Sequence, residues 1–135
     1  MHAEFDQSLV TGNEMIDSQH KELIDKINKL VVCCENGGGK LEAIKMLDYL
    51  SDYTEFHFGA EEKLQEEVCY PQLPEHREQH EAFKKAVSEL HEMLEDEEGP
   101  SDAFVAAVNK NVIEWLYKHI KGFDSAVAAY VKQHA

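Results

Sequence analysis

Three prolines and seven glycines in 135 residues are too few to punctuate a sheet-rich chain, and β-branched runs are short. This composition excludes a sandwich or barrel and favours helices. Cysteine is as sparse, with three residues of which Cys33 and Cys34 are adjacent. An odd count and a neighbouring pair cannot make a disulfide framework, so the thiols read as reduced. No apolar stretch is long enough to span a bilayer, and the polar opening Met1-His2-Ala3-Glu4-Phe5-Asp6 has no signal-peptide pattern; a cytoplasmic location is the expectation.

Positive charge is the other deficit: 13 Lys and Arg stand against 27 Asp and Glu, a formal charge of −14. Phosphate binding needs clustered cations that release counterions, so nucleic acid is excluded as a partner, and an anionic membrane surface is disfavoured. The acidity otherwise describes a solubilising surface and names no protein partner. Gly37-Gly38-Gly39-Lys40 is not a phosphate loop, because Leu41 follows where Ser or Thr is required and no strand precedes it.

The length suits a single domain, 1–135. Within it four amphipathic stretches alternate with short loops. The first, 18–34, carries His20, Leu23, Ile24, Ile27, Leu30 and Val31 at helical spacing and stops at Asn36-Gly37-Gly38-Gly39. The second, 41–68, leads from Ile44, Leu47 and Leu50 to His57, Glu61 and Leu64, and breaks at Pro71 and Pro74. The third, 75–95, presents His76, His80, Phe83, Val87 and Leu90. The fourth, 102–121, starts behind a Ser101 or Asp102 cap and presents Phe104, Val108, Val112, Trp115, Leu116, His119 and Ile120. A short C-terminal helix is expected over 124–133. Short connections predict an all-α, up-down-up-down antiparallel four-helix bundle. An extended N-terminal arm, 1–17, precedes it, with Phe5, Leu9 and Val10 expected to pack on the bundle.

Histidines and carboxylates occupy stripe positions where a plain bundle would place leucine, and burying imidazoles without partners is costly. His57 and Glu61 are four apart, as are His76 and His80, so each pair projects from one helix face. With His20 on the first stretch and His119 and Asp124 on the fourth, all four reach one interior volume. Five histidines and two carboxylates suit two borderline cations, and an imidazole-rich site with bridging carboxylates favours iron over magnesium or calcium. One spacing is awkward. His119 and Asp124 are five apart, roughly 140° out of phase on an ideal helix, and Gly122 would have to allow a bulge or a helix end. His2, His91 and His134 fall outside the pattern and read as surface residues.

The runs Ile16-Asp17-Ser18-Gln19-His20-Lys21-Glu22-Leu23, His57-Phe58 with Glu61-Glu62-Lys63-Leu64, Tyr70-Pro71, His76 and His80 with Phe83, and Trp115-Leu116, His119-Ile120 and Asp124 resemble the hemerythrins, in particular the bacterial ones. The resemblance covers nearly the whole chain. It implies that His76, His80 and His119 bind one iron and His20 and His57 the other, with Glu61, Asp124 and an oxo or hydroxo group bridging them. The second iron would keep one open position for O2, the expected partner. Leu23, Phe58 and Leu116 resemble the apolar lining of the O2 pocket, and Trp115 reads as a core anchor. Phe5 where bacterial relatives often have Trp, Gln65 where Met is frequent, and Cys69 before the Tyr-Pro turn depart from the pattern without removing a ligand.

The implied function is reversible O2 binding for carriage, storage or delivery, not catalysis. The alternatives are a module sensing O2 or iron through a partner, for which no output domain is visible, and a peroxide or nitric oxide reductase on the same scaffold. Ferritin-like di-iron enzymes use Glu-x-x-His pairs, and no histidine here has Glu three residues before it; His-Glu-x-x-His is absent too, since His80-Glu81 runs into Ala82-Phe83-Lys84.

Overall fold

A computed structural model describes residues 2–134. Among these there is no strand, and four long helices form an antiparallel bundle: α1 (Glu14–Glu35), α2 (Lys40–Glu67), α3 (Leu73–Asp96) and α4, which is helical without interruption over 102–134. None is long and apolar enough to cross a membrane.

Two of the helices, α1 and α4, start where a side chain takes up an orphan N–H group. Asn13 caps α1 by accepting from the backbone of Ile16 at 3.0 Å, and Ser101 caps α4 by accepting from Phe104 at 3.1 Å. The arm is therefore shorter than the expected 1–17. With Asn13 as the cap, α1 begins at Glu14 and not at 18, and Asp17 in the first turn reaches back to the N–H groups of Thr11 and Gly12 at 2.9 and 3.1 Å. The expected break over 69–74 is also shorter. Pro74 sits inside the first turn of α3, where its missing N–H has no partner to lose, so α3 opens at Leu73 and not at Glu75. α1 ends on Gly37, whose φ of +69° admits glycine readily.

The expected stop of the fourth helix at 121 and a separate helix over 124–133 are corrected as well. The backbone stays right-handed helical through His119, Ile120 and Ser125, and two wide-turn segments are built into it, Asn109–Glu114 and Ile120–Asp124. At the second, the Ser125 N–H bonds the carbonyl of Ile120, five residues back. A π-bulge accommodates the extra residue without ending the helix.

The core lies in two parts. The larger contains Leu23, Ile27, Leu30, Leu50, Phe58, Phe83, Phe104, Val112, Leu116 and Ile120, all nearly sealed from solvent. The smaller is Ile16, Tyr70, Val127 and Ala128 near the other end. The arm laces α1 to α4: Ala3 exchanges two hydrogen bonds with the Asn28 amide at 2.8 and 2.9 Å, and the Glu4 N–H donates to Tyr117 Oη at 2.9 Å. Leu9 is buried and Phe5 half-buried beneath the Lys21 ammonium, whereas Val10, expected to pack, is exposed.

Candidate metal centre

The seven residues singled out from the sequence come together as two overlapping groups. Glu61, His76, His80, His119 and Asp124 form one; His20, His57, Glu61 and Asp124 form the other, and within each group one donor atom per residue lies within 4.8 Å of the rest. All four helices contribute. Spacing of four places His57 with Glu61 on α2 and His76 with His80 on α3. The wide turn in α4 does the same for a spacing of five: His119 Nε2 stands 3.1 Å from Asp124 Oδ1.

The two carboxylates are the shared members. Asp124 Oδ2 is 2.9 Å from His20 Nε2, and its Oδ1 is 3.1 Å from His76 Nε2. Glu61 Oε1 is 3.2 Å from His80 Nε2, and its Oε2 is 3.7 Å from His57 Nε2. One carboxylate oxygen thus faces each group. His76 Nε2 and His119 Nε2 lie 3.1 Å apart, an arrangement in which two neutral imidazoles can share only one proton.

Burial sets the charge state. It pushes the His57 imidazole down to about 3, with His20 adding to the effect, and His80 down to about 2, with His76 and His119 adding. Burial pushes Glu61 well up, reinforced by the neighbouring Asp124 charge. Burial opposes ionisation of Asp124 as well, but the facing His119 ring, and then the close rings of His20 and His76, hold it well below the usual carboxylate range. Without a cation, burial therefore favours neutral rings at His57 and His80 and the protonated form of Glu61, while Asp124 favours its ionised form.

These residues fit metal ions. Both oxygens of Glu61 and of Asp124, and Nε2 of His20 and His80, are buried without a satisfied hydrogen bond, although charged or polar atoms lie a few ångströms away. Orphaned polar atoms are rare and costly in native interiors, and this many on one interior surface all point to cations that would take their lone pairs. Neutral imidazoles and carboxylates are the donor set of borderline transition metals.

The apolar neighbours are placed as follows. Phe58 lies flat on His80, with centroids 3.7 Å apart and 3° between planes. Leu23 and Leu116 are buried one turn from His20 and His119 on their helices. Trp115 stacks on His119 at 4.5 Å, and Phe123 stacks on it at 5.3 Å. His91 is remote from the cluster, pairing with Asp48 and Glu95 at 3.6 and 3.1 Å; His2 pairs with Glu35 and His134 stacks on Tyr130.

Sequence reasoning gave no role to Gln19, Glu62 or Phe123. Gln19 Oε1 accepts from His57 Nδ1, and Glu62 Oε2 from His80 Nδ1, each at 2.8 Å. Their signal was adjacency to His20 and Glu61. Helix phase hides it, because neighbours in sequence point about 100° apart.

The family described as the Hemerythrin HHE cation binding domain matches residues 11–131. A bacteriohemerythrin of Stenotrophomonas maltophilia is 35% identical over 91% of this chain and 77% of its own length, and one of Pseudomonas paraeruginosa is 30% identical over 97% and 82%. A crystal structure of a leucine-to-phenylalanine mutant, 24% identical, superposes with a TM-score of 0.81 over 97% of this chain and 98% of that one, which establishes the likeness of fold. The chain belongs to the hemerythrin HHE cation-binding family.

Proposed function

We propose that this protein binds O2 reversibly at a non-haem di-iron centre. His76, His80 and His119 would hold one iron and His20 and His57 the other, with Glu61 and Asp124 between them. When bound, the irons supply the redox equivalents by which O2 is taken up and given back. The observation that carries the reading is the unequal donor count: five residues converge in one group and four in the other, with the two carboxylates common to both. The smaller set leaves its ion a position for an exogenous ligand.

The rest is work done by the chain. The neutral imidazoles offer lone pairs without first losing a proton. Leu23, Phe58 and Leu116, all buried, exclude water and make entry of an anion costly.

The test is an optical spectrum of the iron-loaded, reduced protein before and after O2 and again after its removal. A visible ligand-to-metal charge-transfer band should appear and then vanish. A band that does not reverse, or sustained consumption of peroxide, would replace this reading with an enzymatic one.

A further inference from the structure

Two rings of the cluster are gripped from outside, and by different chemistry. His80 turns Nδ1 to a carboxylate, Glu62 Oε2, whereas His57 turns Nδ1 to an amide, Gln19 Oε1, both at 2.8 Å. A carboxylate only accepts, so the proton of neutral His80 sits on Nδ1 and its Nε2 lone pair faces the cluster, 3.2 Å from Glu61. Gln19 orients His57 in the same sense through an uncharged oxygen.

Glu62 is itself fixed. Its other oxygen accepts from Arg77 Nε at 3.1 Å, and Arg77 also pairs with Glu66. With Phe58 lying flat on the His80 ring, both the plane and the rotation of that imidazole are set. The Nδ1 atoms of His20, His76 and His119 do not share this grip: His20, His76 and His119 have no partner there.

We infer that Glu62 and Gln19 are positioning residues that make the two halves of the site unequal, Glu62 strengthening His80 as a donor in the five-residue group and Gln19 leaving His57 the weaker donor in the four-residue group. The inference rests on the di-iron reading. A hydrogen bond to an anion is roughly twice as strong as one between neutral groups and raises the basicity of a ligating imidazole. The stronger donor stabilises the higher charge of its ion. The five-residue half therefore holds the ferric state more firmly, and the four-residue half is the easier to reduce.

Two arms test this. In the metal-free protein, 15N–1H spectra of the imidazoles should show His80 protonated on Nδ1, and Glu62→Ala should leave it a tautomer mixture. In the iron-loaded protein, Glu62→Gln should raise the reduction potential and Gln19→Glu should lower it. Each shift should be on the order of a tenfold change in the redox equilibrium, about 59 mV for a one-electron step. Opposite signs cannot come from general loosening of the bundle. Iron affinity should fall by roughly 10- to 100-fold in Glu62→Ala. Finding Nε2–H on His80 in the unmodified protein, or potentials that stay fixed or move together, would overturn the inference. Failure of the unmodified protein to take up iron would overturn the di-iron reading instead, and the tautomer arm would still decide whether Glu62 positions His80.

Discussion

His119 and Asp124 meet at 3.1 Å although five residues separate them, a spacing that an ideal helix would place on different faces. The bulge over Ile120–Asp124 resolves the mismatch, held by the Ser125 N–H and hydroxyl on the Ile120 carbonyl, the hydroxyl at 2.9 Å. Gly122 lies inside it with no positive φ and with open space where a Cβ would stand. Gly122→Ala should therefore keep full iron content and gain up to about 1 kcal/mol of stability, as for glycine in a helix interior. Loss of iron in that variant, measured by metal analysis, would show that the glycine itself makes the bulge.

The sequence made the stripes, the Ser101 cap of α4 and the seven clustered residues legible, because helical periodicity survives when His replaces Leu. Less legible were features set by tertiary context. The phase of Asp124 depends on a wide turn that periodicity at 3.6 residues does not encode. The continuity of α4 past 121 depends on that turn staying helical, and Pro74 looked like a breaker because its position within the first turn was unknown. Glu62 and Gln19 act through neighbours on other helices or other turns, so their partners could not be read from spacing.

Metal-free protein should lose stability in mild acid. His57 and His80 have folded values of about 3 and about 2 against 6.5, so below 6.5 the unfolded chain takes up protons that the folded chain refuses. Stability supplied by these neutral rings is present above 6.5 and is lost as pH falls. Glu61 opposes them, since its raised value keeps a proton in the folded state above 4.5 that the unfolded chain gives up. Two rings act against one carboxylate, so between 4.5 and 6.5 the balance of these three groups favours loss of stability as pH falls. Urea unfolding of the metal-free protein across that window should show midpoints falling with pH, and a flat profile would mean the rings are not held neutral.

Metal binding should release a proton. Burial and the neighbouring Asp124 charge favour the protonated form of Glu61, and ligation requires its ionised form. Titration calorimetry with a divalent metal in two buffers of different ionisation enthalpy should give enthalpies that differ accordingly. Identical enthalpies would place Glu61 ionised beforehand.

Leu116→Ala should open the apolar wall one turn from His119. Azide should then bind faster and O2-binding capacity should decay faster, with iron content unchanged. The cavity also costs about 2–5 kcal/mol, so rates are compared well below the melting temperature. Unaltered rates in a folded, iron-loaded variant would remove Leu116 from the pocket.

The most direct measurement is iron stoichiometry in purified protein, set beside thermal unfolding with and without chelation. The account predicts about two irons per chain, loss of iron in His57→Ala, His76→Ala, His80→Ala and His119→Ala but not in His91→Ala, and a clear drop in melting temperature on chelation, because bound metal stabilises only the folded state. A single zinc per chain, a metal-free form of equal stability, or a His91→Ala variant that loses its metal would contradict it.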